Sequence, residues 1–390
     1  MRASMETRER TRSMIRIACI EPYVYRFPIE TPVVTSFGVM RDRPALFVRV
    51  VDADGAEGWG ESWCNFPSVG AEHRARLIRE TLAPLIVDRS WEEPADVYDM
   101  LVRSTEVLAI QSGEDGPIAQ AIAGIDLAVW DLSARRAGEP LYRHLGAVGA
   151  ADVPLYASGL NADGWEDVAT KRYAEGYRRF KLKVGFGREK DISNLRTLRA
   201  TFGAQTPLMI DANQAWDRET ALAMAEACAE FAPVWLEEPM RADVPAPVWT
   251  DLSRWSPVPL AAGENVRGKR DFDVAIRAMG LAYLQPDIGK WGGITANREI
   301  CREAVEAGLV YCPHWLGGGI GLAASFHLLA AIGGGGALEV DANPNPLREA
   351  IFSQLGPIRD GALSPGDTPG IGVRPPLRDL EPYRIELPPC

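Results

Sequence analysis

From about residue 152 onward the chain repeats one pattern. Short, β-rich apolar runs recur at Val153–Ala157, Phe180–Val184, Leu208–Ile210, Val234–Leu236, Leu260–Ala261, Tyr283–Gln285, Leu309–Cys312 and Ala337–Val340. Their centres fall about 26 residues apart, and most gaps hold an amphipathic helical pattern such as Glu219–Phe231 or Thr295–Ala307. Strands alternating with helices at so short a spacing predict a parallel α/β barrel. An open doubly wound sheet would carry a glycine-rich phosphate turn early in the series. No GxGxxG follows any of these runs, and no GxxxxGK[ST] occurs.

Upstream the pattern is mixed. Ile15 to Phe27 and Leu46 to Val51 alternate or run apolar, and Asp54-Gly55 marks a turn before Gly58-Trp59-Gly60. Thr31–Met40 and Glu61–Gly70 lack periodicity and read as loops. Helical patterns cover Ala71–Pro84, Pro94–Ser104 and Pro117–Ala137, the last with Ile118, Ile122, Ile125, Val129 and Leu132 on a buried face. Leu309–Leu338 carries no Asp, Glu, Lys or Arg, but Pro313 and several glycines leave room for a helix of about three turns, too short to span a bilayer. Residues 1–14 hold several arginines and no apolar core, which reads as a flexible leader and not a signal peptide.

Composition narrows the class. With 390 residues, 46% hydrophobic and 24% charged, the chain can bury a large core. A formal charge of -11 gives no general affinity for nucleic acid or an anionic membrane. The six cysteines lie far apart with no CxxC pair, the pattern of reduced thiols in a cytoplasmic protein.

In a parallel barrel the chemistry sits where each strand hands over to its loop. Here the strand ends are Lys181-Leu182-Lys183, Asp211-Ala212-Asn213, Glu237-Glu238-Pro239, Gly263-Glu264-Asn265, Asp287, His314 and Glu339. Lys181 and Lys183, two apart in a strand, share a face, and their mutual repulsion would ease proton loss and suit one of them as a base. Asp211, Glu237 and Glu264 fall on successive strands. Converging carboxylates of this kind suit a hard divalent cation, most simply Mg²⁺; the competing reading is a network of carboxylates bonded to lysines. Asp287 beside His314 makes an acid/base pair. Glu339 could donate to a developing oxyanion if crowding by the other acids keeps it protonated.

This ordered set resembles the enolase superfamily, in its mandelate racemase/muconate lactonizing enzyme branch and its mandelate racemase-like subgroup. The resemblance covers nearly the whole chain. It is carried by Phe180-Lys181-Leu182-Lys183-Val184-Gly185, Ile210-Asp211-Ala212-Asn213, Trp235-Leu236-Glu237-Glu238-Pro239, Gly263-Glu264-Asn265, Gln285-Pro286-Asp287, Lys290-Trp291-Gly292-Gly293 and Cys312-Pro313-His314. Gly124-Ile125-Asp126-Leu127-Ala128-Val129-Trp130-Asp131 also looks like the end of that family's capping domain. The resemblance implies a (β/α)7β modified TIM barrel over residues 151–350. An α+β capping domain, residues 15–150, would be completed by the C-terminal tail 351–390, with loops 31–40 and 61–70 closing over the barrel mouth.

The resemblance also implies Mg²⁺ on Asp211, Glu237 and Glu264. Lys183 would be a base tuned by Lys181, His314 with Asp287 would act on the other side, and Glu339 would be the oxyanion donor. The residues after Glu339, Val340-Asp341-Ala342-Asn343-Pro344, depart from the racemase pattern. The implied substrate is a small-molecule carboxylate. Dehydration of an acid sugar (aldonate, aldarate or tartrate-like) through an enediolate to a 2-keto-3-deoxy acid leads. Racemisation or epimerisation of a 2-hydroxy acid is the alternative, and a non-catalytic binding barrel is the third reading. Neither nucleic acid nor membrane is an implied partner, and the family habit is a homo-oligomer. Trp63, Phe66, Trp291 and Trp315 are candidates for the pocket wall or for packing.

Overall fold

The computed structural model describes residues 14–34, 38–147, 149 and 151–387; the expected leader, apart from Met14, and Cys390 lie outside them. The amino-terminal strands build an antiparallel sheet. β1 (Ile15–Val34) pairs with β2 (Val39–Asp52), and β2 with β3 (Glu57–Ser62), while β4 (Ser90–Trp91) joins the start of β1. Asp52 shapes the turn into β3, its Oδ1 accepting the N–H groups of Asp54 and Ala56. The expected loop 31–40 is strand at both ends, with Val33 opposite Met40 and Val34 opposite Val39; residues 35–37 lie outside the described residues. A register shift between Pro28 and Val33 breaks the period of two and hides this strand from pattern reading. Likewise Glu61 and Ser62, expected in a loop, finish β3, and the helix expected to end at Ser104 continues to Ser112.

The second half forms a curled parallel sheet. Its strands are β5 (Val153–Leu160), β6 (Phe180–Lys183), β7 (Leu208–Asp211), β8 (Leu236–Glu237), β9 (Leu260–Ala262), β10 (Tyr283–Leu284), β11 (Val310–Tyr311) and β12 (Leu338–Asp341). They are ordered β11-β10-β9-β8-β7-β6-β5-β12, so the last strand returns beside the first. The end strands then meet: Ala337 N–H lies 3.4 Å from Cys312 Sγ, and a Cβ at Gly336 would fall on the Tyr311 carbonyl. Inside, Tyr156, Met209, Trp235, Ala261, Cys312 and Ala337 form an apolar layer, with Tyr156 and Trp235 edge to face across the barrel. This layer plugs the barrel, and the ionisable residues lie above it. Among the described residues no helix is long and apolar enough to cross a membrane, and no cysteine is in a disulfide.

The carboxyl-terminal tail is shared between the two sheets. β13 (Ala362–Leu363) pairs with β5 of the barrel, whereas β14 (Arg384–Ile385) joins β1 of the cap.

Buried acids from the cap fasten it to the barrel. Asp126, on the helix Asp115–Ala137, accepts the N–H groups of Ile294 and Thr295 at the start of the barrel helix Gly293–Glu306. Glu61 does the same for Gly318 and Gly321 at the start of Gly319–Ile332. Each carboxyl thus satisfies orphan donors at a helix N-terminus. Asp131 holds Trp59 N–H of the cap and Ile371 N–H of the tail together.

His327, on Gly319–Ile332, stacks on Tyr142, and its Nδ1 accepts the Tyr142 N–H at 3.2 Å. Burial holds its imidazole down to about 4. A depressed histidine favours the folded state above its unfolded value, and that advantage is lost as pH falls from about 6.5 through about 4. The loss amounts to about 3 kcal/mol. Denaturant unfolding of wild type and His327→Gln across this window checks it: the variant should lack that share of the acid-side slope, and parallel curves would refute it.

Candidate active site

The strand register sets the mouth of the barrel. Lys183, Asp211 and Glu237 are partners on β6, β7 and β8, so alternation puts them at one level above the apolar layer. Glu264 follows β9, Asp287 follows β10, His314 follows β11, and Glu339 lies within β12.

Lys181 sits lowest, 2% exposed, between two acids. Its Nζ is 2.5 Å from Glu237 Oε1 and 2.7 Å from Glu339 Oε1. Burial would lower its proton affinity, but Glu237 and Glu339 raise it well above the usual lysine value. The expected easing of proton loss is therefore not found at Lys181: carboxylates, absent from the local sequence, outweigh the neighbouring lysine. Glu339 is also corrected. Although burial opposes its charge, Lys181 and His314 hold it below the usual carboxylate value. Its oxygens accept from Ser158 Oγ and the Trp315 N–H at 2.5 and 3.0 Å. In this arrangement its oxygens accept, whereas crowding by the other acids is expected to favour a protonated donor.

Lys183, 8% exposed, meets a neutral partner, Asn213 Oδ1, at 2.5 Å. Among the described residues it makes no ion pair, unlike Lys181 and Lys290.

His314 and Asp287 come together as expected, with Nδ1 2.7 Å from Asp287 Oδ2. The other nitrogen, Nε2, lies 2.9 Å from Glu264 Oε2. Burial disfavours the imidazolium, yet Glu264, Glu339 and the Asp287 hydrogen bond raise its proton affinity well above the usual histidine value. The ring is thus held charged. Lys290 Nζ shares Glu264 Oε2 at 2.7 Å, and His314 and Lys290 together drive the Glu264 carboxyl well below its usual value against the effect of burial.

The acids outnumber what these cations offset. Glu237 also accepts from Trp235 Nε1 and Gln285 Nε2, and burial, with Asp211 and Glu339 nearby, raises it above the usual carboxylate value against the pull of Lys181. Asp211 is 5% exposed and Glu238 1%, and among the described residues neither makes an ion pair. Asp211 accepts the Asn213 N–H, and Glu238 the Asn265 amide. Buried carboxylates are ordinarily paired or coordinate a metal. As the side chains stand, no three His, Cys, Asp or Glu of the described residues are arranged to hold one ion. Glu237 is turned onto Lys181 and Glu264 onto Lys290 and His314, which is the lysine network foreseen as the competing reading. That network gives neither Asp211 nor Glu238 an ion pair among the described residues, though Lys181 and Lys290 act on them from farther off. An all-oxygen set with this unbalanced charge fits a hard divalent ion.

Several contributors escaped pattern reading. Glu238 should face away from Glu237 by alternation, but its left-handed backbone (φ 37) turns it into the cluster. Lys290 and Asn213 sat inside recognised motifs with no spacing rule to single them out. Of the aromatic candidates, Trp63 lines a 770 Å³ cleft with Glu264, Asn265 and Lys290. Trp315 is a core residue, 1% exposed, with its indole N–H on the Gly318 carbonyl. Trp291 packs on Phe272, and Phe66 lies against Gly38.

Comparison with known proteins agrees with this architecture. Residues 165–379 match the enolase C-terminal domain-like family, and residues 19–146 match the mandelate racemase/muconate lactonizing enzyme N-terminal domain. The chain is 26% identical to a D-galactarolactone cycloisomerase of Agrobacterium fabrum, over 96% of this chain and all of that one. It is 30% identical to an L-talarate/galactarate dehydratase of Salmonella typhimurium, over 92% and 88% of the two chains. A mandelate racemase/muconate lactonizing enzyme structure from Bordetella bronchiseptica superposes with TM-score 0.90 at 48% identity, covering 95% of this chain and 100% of that one. A racemase from Streptomyces coelicolor, solved with bound magnesium, superposes at 0.84 with 28% identity and coverage of 95% and 100%. These relatives include dehydratases, cycloisomerases and racemases, enzymes of a magnesium-dependent superfamily. From its apolar barrel layer to its acid-lined mouth, this chain belongs to the enolase superfamily, in the mandelate racemase/muconate lactonizing enzyme branch.

Proposed function

We propose that this chain removes the proton beside a carboxylate and dehydrates an acid sugar to a 2-keto-3-deoxy acid. The observation that carries the reading is the contrast between Lys183, which has a neutral partner, and His314, whose Nδ1 is held by the Asp287 carboxylate. One is suited to take a proton and the other to give one. They stand on β6 and after β11, separated along the ring by β5 and β12, so a substrate between them meets the two from different sides.

Asp211, Glu237 and Glu264 would hold Mg²⁺, which supplies the positive charge that makes a proton beside a carboxylate removable. Lys183 takes that proton. His314 delivers its own to the departing β-hydroxyl, and Asp287 keeps the imidazole oriented and charged. Lys181, fixed between Glu237 and Glu339, adds positive charge beneath the substrate. Glu339 serves that arrangement as the anion that holds Lys181 and, 3.8 Å away, faces His314.

Racemisation, epimerisation and cycloisomerisation share the first step and differ in where His314 puts its proton. The 96% coverage by the galactarolactone cycloisomerase makes lactone substrates worth including. With Mg²⁺ present, incubation with aldonates, aldarates, tartrates and sugar lactones should yield a semicarbazide-reactive 2-keto acid from at least one substrate. Exchange of the α-proton in D₂O without keto product would replace dehydration by isomerisation. A blank in both readouts would overturn the proposal. Lys183→Ala and His314→Asn should each lower turnover by about a hundredfold or more.

Asp287→Asn keeps a hydrogen-bonding partner for His314 but removes its charge. It should lower kcat by about a hundredfold while KM changes little, because the acid step and not substrate binding is affected. An unchanged kcat would remove Asp287 from the mechanism.

A further inference from the structure

Lys290 lies three residues beyond Asp287, on a turn that the same aspartate holds. Asp287 Oδ1 accepts the N–H groups of Gly289 and Lys290 at 2.8 and 3.0 Å, while its Oδ2 holds His314. The lysine is buried, 8% exposed, and its Nζ donates to Glu264 Oε2 and Asn265 Oδ1 at 2.7 and 3.1 Å. On its other side it lies 4.9 Å from the centre of the Trp63 ring, which belongs to the cap. The Trp63 N–H in turn donates to the Gly289 carbonyl at 3.2 Å. A Cβ at Gly289 would lie 3.0 Å from Trp63 N and closer still to the Trp315 ring, so this approach of cap to barrel needs glycine.

We propose that Lys290 is a positioning residue that ties the cap, through Trp63, to the cation-binding carboxylate of Glu264. The proposal rests on the reading that Glu264 helps hold a divalent cation. Two cations meet on Glu264 Oε2, His314 and Lys290. His314 must leave Glu264 to deliver a proton to substrate. Lys290 has no such duty and stays. Its ammonium holds the carboxylate in place, and its own position is set by the Trp63 ring face, an attraction that weakens when the ring is removed. The Trp63 ring faces Lys290 and, at 5.9 Å, Arg74, while its backbone N–H meets Gly289; the link tested is the one from the ring through Lys290.

A double-mutant cycle read by calorimetric titration of Mg²⁺ into the full chain, without substrate, tests this. Lys290→Met should weaken Mg²⁺ binding by about tenfold, as loss of a partner to a metal ligand does. Trp63→Leu should weaken it by about threefold, the size of a cation–π contact. In the Lys290→Met background, Trp63→Leu should have no further effect. Trp63→Phe, which keeps a ring face, should bind within about twofold of wild type, and Lys290→Arg, which keeps the charge but not the shape, should bind more tightly than Lys290→Met. Circular dichroism of each variant confirms the fold, and the conservative pair keeps the question answerable if Lys290→Met does not fold. Equal effects of Trp63→Leu in both backgrounds, or no effect in either, would overturn the link. Failure of the wild type to bind Mg²⁺ would instead overturn the cation-site reading on which it rests.

Discussion

A carboxylate leaves water at a cost that only nearby positive charge or several donors can offset. At the mouth of this barrel Asp211, Glu237, Glu238, Asp287 and Glu339 are all buried, and Glu264 nearly so. Lys181 is spent between Glu237 and Glu339, and Lys290 and His314 converge on Glu264. Among the described residues Asp211 and Glu238 make no ion pair and accept from amide groups. This imbalance is the constraint from which the functional reading follows. A further cation would relieve it, and such a charge is what the chemistry beside a carboxylate requires.

The scaffold keeps this charged layer in place by separating it from everything below. Tyr156, Met209, Trp235, Ala261, Cys312 and Ala337 fill the barrel beneath the mouth, so the acids cannot relax downward into water. From above, the cap is fixed by carboxyls that it lends to barrel helices, Asp126 to Gly293–Glu306 and Glu61 to Gly319–Ile332. The second of these helices follows the His314–Gly318 turn, and the first follows the Asp287–Lys290 turn. The cap is therefore anchored beside the two turns that carry the acid/base pair.

Much of this was legible in the chain because barrel strands are buried on both faces and spaced by helices of similar length. The eight runs stood out as apolar segments, and their final residues marked the mouth. The β1–β2 hairpin was hidden by the shift after Pro28. Protonation was harder still. The state of Lys181 depends on acids from β8 and β12, which lie 56 and 158 positions along the chain from it. Glu238 escaped because a period of two assumes extended backbone, and its φ is positive. Local pattern placed the groups; which groups share a proton or a charge was set by contacts between distant strands.

The most direct test of the cation claim is a crystal structure of the chain grown with Mn²⁺, read by anomalous scattering. A single strong peak bonded to Asp211, Glu237 and Glu264 is expected, with Glu237 Oε1 moved off Lys181 and His314 released from Glu264. A well-ordered mouth without a peak, or an ion bound elsewhere while Glu237 stays on Lys181, would contradict it.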